Sequence, residues 1–424
     1  MVDERKVPEG YKVTEVGVIP EDWDEIYLSK ALLGSPKYGI NAAAVDYSES
    51  LPTYLRITDI SDDGRFIRSK KVSVDNESSE NYYLEENDLV FARTGASTGK
   101  TYLYDSNDGK LVYAGFLIKV SVDQKIMDPR FLKSYTQTET YWNWVRVMSM
   151  RSGQPGINGS EYSKLKLPLP PLSEQKAIAE ALSDTDSLIQ SVEKLIDKKN
   201  KIKHGAMQQL LTGKKRLPGF SGEWEVKRLG EIGEFSGAGI DKKINADEEK
   251  VRLLNFLDVY HKDFIYSNDL WHEVTAPKYK AEKCSIKRGD VFFTPSSELR
   301  TDIALSAVAM EDIDDAVYSY HVVRYRFYDE WDIHFKTYIF NTRFFFSQAE
   351  TMCEGSGKRY VISLKKFKEL EIMYPIDLRE QKAIAQVLSD MDAEIEALEE
   401  KLEKYKTIKQ GMMQELLTGR IRLI

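Results

Sequence analysis

Two short stretches carry residue types that could handle a phosphate or a methyl donor. RTGASTGKT at 93–101 offers glycines, hydroxyls and a lysine in one run. A phosphate loop needs four residues between its first glycine and its Gly-Lys pair, so that successive backbone amides wrap the phosphates. Gly95 and Gly99 have only three between them, and the run joins two strand-like segments without opening a helix. It reads as a turn that presents Arg93, Thr94, Ser97 and Lys100. FSGAGI at 235–240 has the F-x-G-x-G spacing of a loop that cradles S-adenosylmethionine. The [NDS]-P-P-[YF] element needed beside it is missing, since the one Pro-Pro pair, Pro170-Pro171, lies inside LPLPPL. A glycine turn is the simpler reading.

His204, His261, His272, His321 and His334 have neither metal-ligand spacing nor an HExxH pattern. No G-x-S-x-G elbow marks a nucleophile. Cys284 and Cys353 are the only cysteines, which excludes a disulfide framework and a close metal-binding pair. The sequence therefore predicts a chain with no catalytic centre, metal or cofactor of its own.

What must these loops be mounted on? With 424 residues the chain is long enough for two or more domains. Its longest apolar run, VYAGFLIKV at 112–120, is of strand length, so no membrane span is expected. MVDERKVPEG lacks an apolar leader, and a cytoplasmic location is expected. A net charge of −8 argues against a protein that coats nucleic acid without sequence preference.

Residues 173–217 and 379–423 align without a gap and are identical at roughly half of their positions, from EQKAIA to Arg216-Leu217 and Arg422-Leu423. Both copies are rich in Ala, Leu, Glu, Lys and Gln, with glycines just past the end at Gly213 and Gly419. Ser173 is the expected N-cap of the first. Steps of four and three pick out Ile178, Leu182, Thr185, Ile189, Val192, Ile196, Lys199, Lys203, Ala206 and Leu210. The second copy gives Ile384, Leu388, Met391, Ile395, Leu398, Leu402, Tyr405, Lys409, Met412 and Leu416. An apolar seam sustained for about five heptads predicts a coiled coil of two helices, each about 36 residues or on the order of 54 Å long.

The repeat continues weakly outside the helices. ENDLVFARTGAS at 86–97 lies opposite RGDVFFTPSSEL at 288–299, and RSGQPGIN at 151–158 opposite GSGKRYVI at 355–362. TYLRITDI, DLVFART and LVYAGFLIKVSVD read as strands in the first half, and VRLLNFLDVY, DVFFTPS and VYSYHVVRYRFY in the second. One helix is expected in each half, near 128–149 and 333–351. KKVS at 70–73 reads as a sheet edge guarded by lysine. The expected fold class is α+β. Two mixed globules, 1–171 and 218–378, are each followed by a long helix, 172–217 and 379–424, and the helices pair as an antiparallel coiled coil with pseudo-two-fold symmetry. Two unlike readers on a stiff spacer suit a target with two elements at a fixed distance, and double-stranded DNA is such a target.

IPEDW at 19–23, RTGAS at 93–97, LPLPPLSEQKAIA at 167–179 and the second EQKAIA at 380–385 resemble the specificity subunit of type I restriction-modification systems. The resemblance covers the whole chain. The second copy departs from it in MYPIDLREQ, which lacks the double proline, a difference confined to the start of that helix. The resemblance implies two target recognition domains and two conserved helices, in a non-catalytic subunit that reads a bipartite DNA site. It also implies two modification subunits carrying S-adenosylmethionine, and through them restriction subunits that use ATP and Mg to translocate and cut.

The loops aligned between the halves supply the candidate DNA-binding residues: Arg93, Thr94, Ser97, Lys100, Arg151, Gln154 and Asn158, then Ser296, Ser297, Arg300, Lys358, Arg359 and Tyr360. Arg and Lys match guanine edges, and Gln and Asn match adenine. The same residue types also serve as phosphate contacts or as solvated surface. A bivalent protein-binding scaffold without nucleic acid would share this architecture, and a methyltransferase fused to its own readers would require the missing tetrapeptide. Residues 1–171 and 218–378 carry net charges of −4 and −6, so counterion release alone drives little binding. The isolated chain is therefore expected to bind DNA weakly, and more strongly once modification subunits are added. Salt titration of both forms checks this, and tight, salt-resistant binding by the chain alone would contradict it.

Overall fold

A computed structural model describes residues 7–150, 155–357 and 359–423. Arg151, Gln154 and Lys358 lie outside the described residues. The fold is α+β, 40% helical and 26% strand. The chain divides into two compact units, residues 1–193 with 400–424, and residues 194–399.

The first unit holds two four-stranded sheets. One runs Leu111–Tyr113, Thr53–Leu55, Val72–Val74, Ala44–Asp46, with its first two strands parallel. The other runs Lys37–Tyr38, Leu117–Ser121, Asp88–Ala92, Thr101–Leu103. The apolar run at 112–120 is thus two strands in two sheets, because Gly115 and Phe116 turn the backbone between them, with the Leu117 amide donating to the Ala114 carbonyl at 2.8 Å. Val72–Val74 lies inside its sheet, so KKVS is not an edge. The second unit repeats the scheme. Glu273–Ala276, Glu249–Leu254, Ile313–Tyr318, Ser285–Ile286 form a sheet with a parallel central pair. Gly233–Ser236, Val323–Phe327, Val291–Phe293, Ser306–Ala309, Phe264–Ile265 form the other. VRLLNFLDVY leaves the strand after Leu254 and becomes a short helix, Phe256–Tyr260. Asp258 turns the chain there by accepting the Asn255 amide at 2.7 Å.

The single helix expected in each half is a pair: Pro129–Tyr135 with Glu139–Ser149, and Ile333–Ile339 with Arg343–Met352. Threonine makes the break in both. The hydroxyls of Thr138 and Thr342 accept the amides of Tyr141 and Phe345, which satisfies donors that a new helix start leaves free.

The long helices are Leu172–Leu210 and Leu378–Leu416, 39 residues each. The first begins two residues earlier than an N-cap at Ser173 would place it. The Pro171 carbonyl accepts the Gln175 amide at 3.0 Å, so Ser173 sits within the first turn and does not cap it. Gly213 and Gly419 take the left-handed conformation at φ +65° and +70°. A Cβ there would also press on the rings of Trp224 and Trp23, respectively.

The Glu-Gln pair that opens each helix has a clear physical role. In the first unit Glu174, 3% exposed, accepts Trp23 Nε1 at 3.0 Å and the Arg422 guanidinium at 2.6 and 2.8 Å. Arg422 also lies over the Trp23 ring and reaches Asp22, holding that carboxyl below its usual range. In the second unit Glu380, 1% exposed, takes Arg216 at 2.5 and 2.6 Å, and Arg216 lies over Trp224. The glutamines tie each helix start to the preceding globule. Gln175 accepts the Asp128 amide and donates to the Pro170 carbonyl; Gln381 does the same with Asp332 and Pro375.

The seam residues are covered. Ile178 and Leu182 pack with Leu416, Ile19 and Trp23 in the first unit, where Ile189 and Val192 are also buried. Asp186 pairs with Lys409 at 2.7 Å, and Thr185 touches Met412. In the second unit Ile384 and Leu388 share a core with Leu210, flanked by Met391 and Ala206, and Ile395 is buried. Asp392 pairs there with Lys203, and Glu394 with Lys199. Ile196, Leu398 and Leu402 are half-buried.

Removing one partner of a buried ion pair leaves the other charge without compensation, at about 3–5 kcal/mol. Arg422→Ala is expected to lower stability toward the low end of that range, since Trp23 still donates to Glu174. Denaturant unfolding measures the loss, and an unchanged midpoint would show that the clamp carries no stability.

Candidate nucleic-acid interface

Each unit anchors the strand that carries its candidate loops at one end and releases it into those loops at the other. In the first, Asn87 at φ +71° turns the chain into Asp88, whose buried carboxylate accepts the Glu85 amide, Lys119 Nζ at 2.8 Å and Ser121 Oγ at 2.6 Å. In the second, Gly289 at φ +83° leads into Asp290, which accepts the Lys287 amide and both arms of Arg326 at 2.6 and 2.7 Å. ENDLVF and RGDVFF are thus one device written twice: a left-handed turn, a buried aspartate, then a strand.

At the far end of Asp88–Ala92 three loops meet through main-chain hydrogen bonds. Arg93 N–H donates to Phe116 O at 3.0 Å, Ile157 N–H to Arg93 O at 2.9 Å, and Gly95 N–H to Pro155 O at 3.1 Å. Thr94 bridges to Gly156. The second unit joins its loops in the same way. Ile362 N–H donates to Pro295 O at 2.9 Å, and Ser296 and Ser297 pair with Val361 and Tyr360 in a small antiparallel ribbon. The segments that align between the halves of the sequence are therefore the segments that touch within each unit.

The candidate residues differ in what their side chains already do. Arg93 is half-buried and lies over the Tyr38 ring, its guanidinium carbon 4.9 Å from the ring centre. Arg300 lies over Tyr360 at 5.1 Å and donates to the Glu350 carbonyl. A stacked guanidinium keeps donors at its edge and has lost much of its rotamer freedom in advance. Arg359 is exposed on the ribbon. Lys100 is turned toward Asp62, 2.7 Å away. Asn158 caps a short helix, accepting the Glu161 amide while Glu161 accepts its own, so its carbonyl is occupied. Thr94 and Ser97 sit half-buried in the turn, and Ser297 Oγ accepts the Leu299 amide.

Sequence reasoning passed over Tyr38, the exposed Phe116 and His321. The signal for the last two was available: Phe116 and His321 follow the small polar or glycine-containing breaks AG and SY inside runs that read as unbroken strands. Among the described residues no group of three or more His, Cys, Asp or Glu side chains could hold a metal ion.

Two α+β units present unlike loops from one framework, an architecture suited to recognition. The chain matches the family described as type I restriction modification DNA specificity domain over residues 32–204 and 221–407, most of its length, and belongs to that family. It is a non-catalytic, DNA-sequence-recognition subunit. It is 27% identical to the type I restriction enzyme MjaVIII specificity subunit of Methanocaldococcus jannaschii, covering 96% of this chain and 94% of that one. The type I restriction enzyme StySPI specificity subunit of Salmonella potsdam is 21% identical over 98% of this chain and 89% of its own. Among solved structures, the type I restriction-modification S subunit from M. genitalium superposes with a TM-score of 0.57 at 13% identity, over 97% of each chain. A chain from a study of the assembly and conformational transition of the type I system gives 0.56 at 16% identity, over 95% of this chain and 99% of that one.

A guanidinium held over a ring keeps the edge donors that a bidentate pair with guanine uses, a pair worth about 1–3 kcal/mol. Arg93→Ala is expected to cost that much on cognate DNA and to leave binding to unrelated DNA nearly unchanged. Parallel anisotropy titrations of the assembled complex check it. An equal loss on both DNAs would make Arg93 a phosphate contact.

Proposed function

We propose that the chain reads a bipartite DNA site with two recognition domains, 1–171 and 218–378. The spacer between the half-sites is set by helices 172–217 and 379–424, paired as an antiparallel coiled coil with pseudo-two-fold symmetry. One half-site falls to the loops carrying Arg93, Thr94 and Ser97, the other to those carrying Ser296, Ser297, Arg300, Arg359 and Tyr360.

The observation that carries the proposal is the exchange of partners between repeat copies. Glu174 binds Arg422, and its repeat equivalent Glu380 binds Arg216, the equivalent of Arg422. Asp186 binds Lys409, and Asp392 binds Lys203. In each unit the start of one helix meets the end of the other, as antiparallel pairing about a pseudo-dyad requires, and charged pairs within an apolar seam fix register. The partners in this reading are double-stranded DNA, two modification subunits, and restriction subunits held through them. S-adenosylmethionine, ATP and Mg act on those partners, and this chain supplies recognition and spacing.

A ruler has a measurable length. Inserting four residues in phase into the first long helix extends it by about 6 Å. The spacer of the methylated site is expected to widen by about one or two base pairs, at about 3.4 Å per step. Methylome sequencing of cells carrying the insertion reads the outcome, and an unchanged spacer sinks the ruler.

A further inference from the structure

The second unit contains a cleft of about 590 Å³ beside its reading loops. One wall is aromatic: Phe256 and Tyr260 stack with centroids 5.6 Å apart and planes at 22°. Tyr260 is fixed in orientation by its hydroxyl, which donates to Asp302 Oδ2 at 2.9 Å. His321 and Arg359 also line the cleft, the first offering ring nitrogens and the second an exposed cation. Leu299 stands at its margin, 59% exposed, on the loop between Ser297 and Arg300.

The first unit builds the same turn without the aromatics. Asp59 accepts the Arg56 amide there as Asp258 accepts that of Asn255, so Ile57 stands where Phe256 does and Ser61 where Tyr260 does. Ile57 packs against the core, and Ser61 is bound within its own turn to Asp63 and the Arg65 carbonyl. The aromatic wall belongs to the second reader alone.

A base inside a duplex shows a groove only its edge, because both faces are covered by its neighbours. A concave wall of stacked rings can therefore engage a base only after that base leaves the stack. An exposed leucine on the adjoining loop is the kind of apolar side chain that enters the step a departing base vacates. We propose that the cleft takes one nucleobase swung out of the half-site read by the second unit. Phe256 and Tyr260 stack on it, Arg359 holds its phosphate and Leu299 fills the gap. This rests on the DNA-reading function above and deepens it: the second half-site is read partly through how easily one of its pairs opens.

The test is a mismatch scan with the complete complex of this chain and its modification subunits. Cognate DNA carries one mismatched pair at a time, at every position except the adenines that are methylated. A base already unpaired costs less to extrude, so one position in the second half-site is expected to tighten binding roughly tenfold, and none in the first. Phe256→Ala and Leu299→Ala should each remove the gain, and Tyr260→Phe, which keeps the ring, should retain most of it. Leu299 is exposed, so its variant tests the idea even if Phe256→Ala fails to fold. Specific binding to paired DNA with no tightening at any position overturns the cleft and leaves DNA reading intact. Loss of all specific binding in the unmodified complex overturns both. If Phe256→Ala weakens assembly with the modification subunits and not the mismatch response, the cleft holds a protein side chain and the proposal falls.

Discussion

A carboxylate buried at the start of a long helix must find a cation, and the structure depends on where that cation comes from. Glu174 and Glu380 are almost wholly covered, and their partners, Arg422 and Arg216, stand just beyond the C-terminal ends of the opposite helices. The helix N-terminus favours the negative charge, but its partial charge alone does not offset the loss of water around a carboxylate. Each globule therefore sits at a junction that forms only when two sequence-distant segments arrive together. The tryptophans beneath the arginines and the left-handed glycines against the tryptophans close the same junction. One difference survives the duplication: Trp23 donates its indole N–H to Glu174, while the Trp224 N–H is buried without a protein partner.

This junction explains why EQKAIA is spelled twice while the globules diverge. Glutamate reaches the opposite helix, glutamine holds the preceding globule, and the isoleucine and alanines enter the core. Any of these changed alone leaves a buried polar group unmet or a cavity unfilled. The loops face no such demand, and RTGAS and TPSSEL differ in almost every residue.

The parts of the fold legible in the sequence are those set by periodicity and repetition. The seam from Ile178 to Leu416 and the glycine stops at Gly213 and Gly419 repeat a pattern that only one local structure satisfies. The α+β class follows from short β-branched and aromatic runs broken by turns. Less legible were the places where tertiary contacts decide among local options. VRLLNFLDVY is apolar enough for a strand throughout, and Asp258 accepting the Asn255 amide turns it into a helix. The helix start falls ahead of Ser173, at Leu172, and at the equivalent Leu378 in the second copy, because each first turn closes onto the carbonyl of the residue before it, Pro171 or Asp377. At the site, aligning the halves found the loops that meet, because their strands are homologous, but not the partners of each side chain. Lys100 had no sequence mark of Asp62, nor Arg93 of Tyr38, since both partners come from elements remote in the chain.

The bonds that hold the reading loops together run between main-chain atoms: Arg93 to Phe116, Ile157 to Arg93, Ile362 to Pro295. Every non-proline residue carries the same amide and carbonyl, so the framework is indifferent to the side chains it displays. Drift in those side chains costs little folding free energy. A lineage can thus alter what these loops present by a handful of point changes, while the long helices and the Glu–Arg clamps at their ends stay as they were.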